Sequence, residues 1–248
     1  MQLFTIDDKR ELLIMPSDDA AATFAAIRFI SLAQQAVAAQ GSFSVALSGG
    51  STPKKMYEKL LLPQNAERVN WSRVNIFWSD ERAVPQDHPD SNYRMAMHYF
   101  GKEPLDEAKK FRMPADENDL QLAALDYEKK IKKYCFSERF DLMLLGIGDD
   151  AHTASLFPKT EALHVTDKLV VPNFIPQKDS WRMTLTFPCI NESRKIIVLA
   201  FGKDKGKALK KVLDPNSDPE LYPARNIGEG DSPVLYIVDE LAASELSL

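Results

Sequence analysis

Short runs of apolar residues recur along this chain, and each is followed by a polar or glycine-containing loop and then by a segment with helical spacing. The alternation is typical of β-α-β units. Strands that are apolar on both faces are expected in a parallel sheet that helices cover on both sides. The sequence therefore predicts a doubly wound, mostly parallel α/β fold of the Rossmann-like type. The predicted strands are 43–47, 74–78, 140–145, 195–200 and 234–238.

The helices between these strands are predicted from their caps and their periodicity. The first helix begins at Ser17 or Asp18 and ends at Gly41, and residues 1–15 before it form either a hairpin or one edge strand. Residues 214–230 contain three prolines and two glycines and are predicted to form a long surface loop. The other predicted helices are 54–61, 91–100, 120–136 and 203–213.

Length and composition favour one soluble domain, residues 1–248, because 44% of the 248 residues are hydrophobic and 27% are charged. The net charge is −5 and the basic residues are spread along the chain, which argues against nucleic acid or an anionic membrane as a partner. The charged first ten residues do not resemble a signal peptide. Cys135 and Cys189 have no metal-type spacing, so no metal site is predicted. We expect a cytoplasmic protein that is a monomer or a weak homodimer.

In an open parallel sheet, ligands bind beyond the carboxyl ends of the strands, so the loops there are expected to carry the chemistry. After the first buried strand, Gly49 and Gly50 allow close approach of a ligand to the backbone, and Ser51 and Thr52 offer donors. Pro53 suits the first position of a helix. The loop predicts an anion site at a helix amino terminus, with an ordinary capped turn as the alternative.

The second buried strand is followed by Asp80, Glu81 and Arg82. A carboxylate at this edge of the sheet is suited to proton transfer, and an arginine is suited to holding a phosphate. The alternative is a solvated cluster of charges at the start of a loop.

The loop after the third strand carries Gly146, Gly148 and Ala151, which match the Gly-x-Gly-x-x-Gly/Ala dinucleotide pattern. We reject that interpretation, because acidic residues at 149 and 150 would repel a pyrophosphate from a helix amino terminus. Asp150 is instead expected to orient His152, whose imidazole serves as a general base. A buried core histidine is the alternative.

Basic residues form the last group of candidates. Arg182 is suited to a forked contact with a phosphate, and Lys205 and Lys207 at a strand-to-helix junction act as point charges. Spacing does not decide which of the two lysines points inward.

Three segments, 47–53, 80–85 and 152–158, closely resemble the signatures of the 6-phosphogluconolactonases, within the superfamily that also includes glucosamine-6-phosphate deaminases. The segments occur in the same order, and the resemblance covers essentially the whole chain. The third segment, His-Thr-Ala-Ser-Leu-Phe-Pro, is the most specific.

The resemblance implies hydrolysis of 6-phosphoglucono-δ-lactone to 6-phosphogluconate in the oxidative pentose phosphate pathway, without a cofactor. It makes His152 the base that activates water, Asp150 the residue that orients His152, and Asp80 a residue that lines the site. The residues implied for the phosphate or the sugar hydroxyls are Gly49, Gly50, Ser51, Thr52, Arg82, Arg182 and Lys205.

One position departs from the family pattern, because Ala151 stands where glycine is usual. If this position requires a positive φ, alanine is strained there by about 1–2 kcal/mol. We expect the protein to tolerate the strain through a small backbone shift and to keep its activity.

Two rival functions remain open. Members that resemble the deaminases carry a glutamate five residues after the histidine, where this chain has Phe157, and this difference favours hydrolysis. A regulator that binds sugar phosphates without turnover would keep the phosphate-binding residues. Such a regulator would not need the pair of Asp150 and His152.

Overall fold

The computed structural model describes residues 1–100 and 107–247. Its strands are β1 (Gln2–Thr5), β2 (Arg10–Met15), β3 (Phe43–Leu47), β4 (Val74–Trp78), β5 (Asp80–Arg82), β6 (Lys109–Lys110), β7 (Leu142–Gly146), β8 (Val170–Ile175), β9 (Ser180–Leu185), β10 (Ile196–Ala200) and β11 (Val234–Asp239). The larger sheet has the order β1-β2-β11-β10-β7-β3-β4-β6. Among the described strands of this sheet, β1 and β2 alone pair antiparallel, so the predicted mostly parallel, doubly wound α/β fold is confirmed.

The helices connect these strands and cover the sheet. They are α1 (Asp18–Gln40), α2 (Ser51–Leu60), α3 (Pro63–Ala66), α4 (Asn92–Phe100), α5 (Leu120–Tyr134), α6 (Phe187–Asn191), α7 (Gly206–Leu213) and α8 (Glu240–Ala243). Short 3-10 turns lie at Trp71–Arg73, Phe136–Glu138, Glu161–His164, Pro176–Lys178, Lys203–Lys205 and Pro223–Asn226.

The longest helix, α1, has the caps that the sequence predicts. The Ser17 hydroxyl accepts from the Ala20 N–H at its start, and Gly41 ends it with φ 81°. Helix α1 is long and apolar enough to cross a membrane. The buried core helices of soluble proteins meet the same criteria of length and composition. Its small side chains, such as Ala22 and Ala26, are fully buried in the core.

Several strands and helices begin or end at residues other than the predicted ones. The third predicted strand begins two residues later, at Leu142, and α2 begins at Ser51, three residues before the predicted start. The helix predicted at 120–136 ends at Tyr134, and the one predicted at 203–213 divides into a 3-10 turn and α7. Residues 1–15 form the hairpin, with β1 at the edge and β2 parallel to β11.

A second, three-stranded sheet of order β5-β9-β8 was not predicted. Strand β5 follows β4 after a single residue, leaves the large sheet, and pairs antiparallel with β9. The register places Arg82 opposite Arg182, and Asn173 of β8 lies opposite Arg182 on the other side. This sheet therefore brings three polar side chains from distant parts of the sequence into one row.

The loop at 214–230 is only partly a surface loop, which corrects the sequence prediction. Pro223, Ala224 and Ile227 are buried, because the 3-10 turn at Pro223–Asn226 packs against the molecule. The Ala224 N–H donates to the Ala151 carbonyl at 2.8 Å. The loop therefore supports the segment in which His152 lies.

Candidate active site

A pocket of about 200 Å³ opens where the carboxyl ends of β3, β4, β7 and β10 meet. Of the site residues that the family resemblance implies, all line this pocket except Asp150, which contacts His152 from outside the lining. The lining residues are Ser48, Gly49, Gly50, Ser51, Thr52, Pro53, Asp80, Arg82, Asn92, Gly146, Ile147, Gly148, His152, Ala154, Arg182 and Lys205.

The amino terminus of α2 faces the pocket. Gly50 precedes the helix with φ 97°, a conformation that favours glycine, and no side chain of the described residues caps the helix start. The first N–H groups of a helix have no partner within the helix. The turn therefore presents donors and the positive end of the helix dipole to an anion.

Gly49 is required because of a neighbour that the sequence analysis missed. A Cβ atom at this position would overlap the side-chain amide of Asn92, at the start of α4. The Asn92 amide nitrogen donates to the Asp80 carbonyl at 3.0 Å and to the Asp80 carboxylate at 3.1 Å. Asn92 thus joins the glycine loop to the strand that carries Asp80.

Asp80 is a buried carboxylate, only 4% exposed, held by hydrogen bonds and not by an ion pair with any described residue. Besides Asn92, the Ser155 hydroxyl donates to its Oδ2 at 2.6 Å. The Ser79 hydroxyl also donates to Oδ1, at 3.5 Å, and the three donors together fix the orientation of the carboxylate at the pocket wall. Ser155, which was also missed, is 75 positions away in the sequence.

Glu81 points away from the pocket and caps α4. Its carboxylate accepts from the N–H groups of Asn92 and Tyr93, each at 2.8 Å, and from the Ser91 hydroxyl at 3.0 Å. Burial raises its pKa, while these backbone hydrogen bonds act in the opposite direction. The alternative of a solvated charge cluster is wrong, because both acidic residues of the group are buried.

His152 and Asp150 form the pair that the sequence predicts. The His152 Nδ1 lies 2.5 Å from Asp150 Oδ1, and the His152 backbone N–H donates to the same oxygen at 3.1 Å. Burial alone would raise the pKa of Asp150, but the hydrogen bonds with His152 outweigh it and lower the pKa. The ionised carboxylate only accepts, so Nδ1 carries the proton and Nε2 is left as the free base.

Two small residues hold this pair in place. A Cβ atom at Gly148 would overlap the His152 ring, so this position requires glycine. Ala151 has φ 62° and is fully buried, which meets the condition for backbone strain stated from the sequence. The turn is closed by the Gly148 N–H, which donates to the His152 carbonyl at 2.8 Å.

The pocket carries three cationic side chains. Arg82 donates to the Asp90 carbonyl at 2.6 Å, and the Nε atoms of Arg82 and Arg182 are buried without a hydrogen-bond partner among the described residues. Burial lowers the pKa of Arg182, and Asp80 opposes this effect. Lys205 lines the pocket and pairs with Asp149 at 2.5 Å, whereas Lys207 is exposed and does not reach the pocket.

Phe157 lies directly behind the base. Its ring stacks on the His152 imidazole with centroids 3.9 Å apart and planes 15° apart. No local sequence pattern indicated that Phe157 would contact the imidazole. Among the described residues, no group of three or more His, Cys, Asp or Glu side chains is arranged to hold a metal ion.

Comparisons with known proteins identify the family of the chain. Residues 16–236 match the family model described as glucosamine-6-phosphate isomerases/6-phosphogluconolactonase. The chain is 39% identical over 219 residues to a 6-phosphogluconolactonase of Synechocystis sp., covering 86% of this chain and 88% of the relative. It is 36% identical over 247 residues to one of Nostoc sp., covering 97% and 100%. A solved 6-phosphogluconolactonase from Trypanosoma cruzi superposes with TM-score 0.82 and 26% identity over 100% of both chains.

Proposed function

The chain belongs to the glucosamine-6-phosphate isomerase/6-phosphogluconolactonase family, and we propose from this premise that it hydrolyses 6-phosphoglucono-δ-lactone to 6-phosphogluconate in the pentose phosphate pathway. The observation that carries the chemistry is the contact of His152 Nδ1 with the Asp150 carboxylate at the wall of a cationic pocket. A lactone is already electrophilic, so its hydrolysis needs a base, a water molecule and a site for the developing oxyanion.

His152 acts as the general base in this mechanism. Its Nε2 takes a proton from water as the water oxygen bonds to the lactone carbonyl carbon. Asp150 stabilises the imidazolium that forms, since the lowered pKa of Asp150 keeps its carboxylate ionised. The bond between the carbonyl carbon and the ring oxygen then breaks, and the ring oxygen takes up a proton equivalent to the one that His152 removed from water. The carboxylic acid that forms releases its own proton to solvent and becomes the carboxylate of the product.

The remaining pocket residues bind the substrate. Arg182 and Lys205 supply charge for the phosphate, and Arg82 adds a second guanidinium opposite Arg182. The glycine loop 49–52 offers backbone N–H groups to the phosphate, to sugar hydroxyls or to the oxyanion. Asp80 lines the site as a hydrogen-bond acceptor that Ser155 and Asn92 hold in place.

We also propose that residues 1–248 act as one catalytic domain in the cytoplasm, as a monomer or a weak homodimer. We propose that the protein acts without a cofactor and does not bind nucleic acid or a membrane. The net charge of −5 and the dispersed basic residues argue against nucleic acid or an anionic membrane as a partner.

The test is an assay of the purified protein. 6-Phosphogluconolactone is generated from glucose 6-phosphate and its dehydrogenase, and formation of 6-phosphogluconate is followed above the spontaneous rate, with glucosamine 6-phosphate in parallel. We expect strong acceleration with the lactone and none with the amino sugar. Turnover of the amino sugar would establish a deaminase instead. Binding of 6-phosphogluconate without turnover would establish a regulator.

The assignment of the base is tested by His152→Asn. We expect kcat to fall by about 10²- to 10⁴-fold, because the general base is lost. Calorimetric binding of 6-phosphogluconate and the thermal melt should stay near those of the wild type, because the cations and the core are intact. If binding and rate fall together, His152 holds the ligand and is not the base.

A further inference from the structure

Phe157 has the closest ring contact with the base, yet it does not line the pocket. Its side chain is 2% exposed, whereas the His152 side chain is 27% exposed and reaches the pocket. Face-to-face contact with the Phe157 ring, at a centroid separation of 3.9 Å, restricts rotation of the imidazole about the Cβ–Cγ bond of His152. The contact of His152 with Asp150 requires one ring orientation, so a fixed neighbour on the ring face maintains that contact.

The same ring also contacts Arg182. The guanidinium carbon lies 5.5 Å from the centroid of Phe157, within the range of a cation–π interaction. Arg182 makes no ion pair with a described residue, and its Nε has no hydrogen-bond partner there. The aromatic face is therefore a main support of this guanidinium as well as of the imidazole.

The backbone of Phe157 is anchored by the second sheet. Its carbonyl accepts from the Thr160 hydroxyl at 2.8 Å, and this hydroxyl in turn accepts from the Asn173 amide at 3.0 Å. Asn173 also donates to the Ser155 carbonyl at 2.9 Å and is only 3% exposed. Because Asn173 is the direct cross-strand partner of Arg182, one strand pair sets the positions of both the ring and the arginine.

We infer that Phe157 is a positioning residue, whose buried ring holds the His152 imidazole and the Arg182 guanidinium at a fixed separation. The inference rests on the proposed function, in which the first group activates water at the lactone carbonyl and the second binds the phosphate. In the substrate, the lactone carbonyl and the phosphate are joined by a short chain of bonds that limits the distance between them. By holding the imidazole and the guanidinium at a fixed separation, the Phe157 ring matches the site to a phosphorylated lactone. The ring face is also favourable for two neighbouring cations once His152 has taken up the proton.

The test compares Phe157→Leu, which removes the ring, with Phe157→Tyr, which keeps it. Phe174→Leu is the matched control, because Phe174 contacts Trp181 with tilted rings in the β8–β9 hairpin but lies outside the pocket. Each variant is assayed with 6-phosphogluconolactone and with glucono-δ-lactone, which has no phosphate. Thermal melts report folding, and Phe157→Met is used if Phe157→Leu melts early.

We expect Phe157→Leu to lower kcat on both lactones by about two- to tenfold, the loss that one aromatic contact accounts for. KM should rise only for the phosphorylated lactone, because only this substrate uses Arg182. Phe157→Tyr should restore both values, and Phe174→Leu should behave as the wild type. In NMR spectra, the His152 ring protons should be shifted upfield by the Phe157 ring and should lose this shift in the Leu variant.

A folded Phe157→Leu protein with wild-type kcat, and with the same preference for the phosphorylated lactone, would overturn the inference. Unshifted His152 ring protons in the wild type would overturn it independently of activity. A wild-type protein that accelerates neither lactone would overturn the proposed function, and the NMR result alone would then decide whether the ring holds the imidazole.

Discussion

The orientation of the His152 imidazole depends on neighbours that carry no reactive group. Gly148 leaves room for the ring, the buried methyl of Ala151 fills the turn, and Phe157 supports the ring face. Asp150 then fixes the proton on Nδ1. At the scale of single residues, the chemistry of this site therefore relies on steric space as much as on charge.

Ala151→Gly tests how much strain the turn stores. Alanine at φ 62° costs about 1–2 kcal/mol, and glycine adds about 0.5–1 kcal/mol of backbone entropy to the cost of folding. We therefore expect a slightly higher free energy of unfolding in urea and a kcat close to that of the wild type. The control is Ala21→Gly inside α1, where the same change should destabilise by about 1 kcal/mol.

Either of two results would contradict this expectation. A gain of orders of magnitude in kcat would mean that Ala151 impairs the natural protein. A loss of stability comparable to that of the α1 control would mean that the left-handed conformation is not strained.

At the scale of elements, the carboxyl-terminal and amino-terminal ends of the strands in the large sheet have different roles. The carboxyl ends of β3, β7 and β10 carry the site loops, while their amino ends are joined through Asp141. This carboxylate accepts from the Ser44 N–H at 2.8 Å and from the Gln40 amide at 2.7 Å, and Arg194 Nε lies 3.3 Å away. Arg194 therefore forms an ion pair with Asp141, but its Nε–H group is not directed well enough at the carboxylate to make a hydrogen bond.

Asp141→Asn tests the electrostatics of this junction. Burial raises the pKa of Asp141 above its ordinary value of 3.8, although Ser44, Gln40 and Arg194 oppose it. The folded state then binds the proton more tightly than the unfolded state does, so stability falls as the pH rises from 3.8 through the folded pKa. Relative to the Asn variant, the free energy of unfolding of the wild type should decrease by about 1.4 kcal/mol for each unit of pKa difference.

Urea unfolding from acid to neutral pH measures this difference. Asp126→Asn is the control. Asp126 is exposed on α5 and forms an ion pair with the exposed Lys129, so the pH dependence of stability should change little. A wild-type stability that rises relative to Asp141→Asn over the same window would show that the hydrogen bonds outweigh burial.

For the whole molecule, stability and function should be separable. The core is built around β7, which lies between β10 and β3, and the site occupies the loops beyond it. Leu144 of β7 is fully buried, and its replacement by alanine should lower the free energy of unfolding by about 2–5 kcal/mol. Leu122→Ala on α5 is the control, because this side chain is 61% exposed and should change stability by less than about 0.5 kcal/mol.

Denaturant unfolding of these two variants is compared with that of His152→Asn. We expect only Leu144→Ala to lose stability and only His152→Asn to lose turnover under conditions where all three are folded. A His152 variant that unfolds with the core variant would show that the site residue is also a structural residue.

The sequence by itself determined the parallel sheet, the loops that carry the chemistry and the pair of Asp150 and His152. Each of these depends on short-range patterns, such as the apolar runs of β3 and β10 or a carboxylate two residues from an imidazole. Residues so close in the chain can contact each other only in a few ways, so their arrangement follows from local backbone geometry.

Only the tertiary structure decided the rest of the site. Strands β8 and β9 carry polar side chains and a proline, so the periodicity did not predict them, and without them the register of Arg182 with Arg82 and Asn173 is not defined. The inward position of Lys205 and the contact of Ser155 with Asp80 also depend on how distant elements pack. The packing of elements sets such contacts, and no local pattern in the chain encodes it.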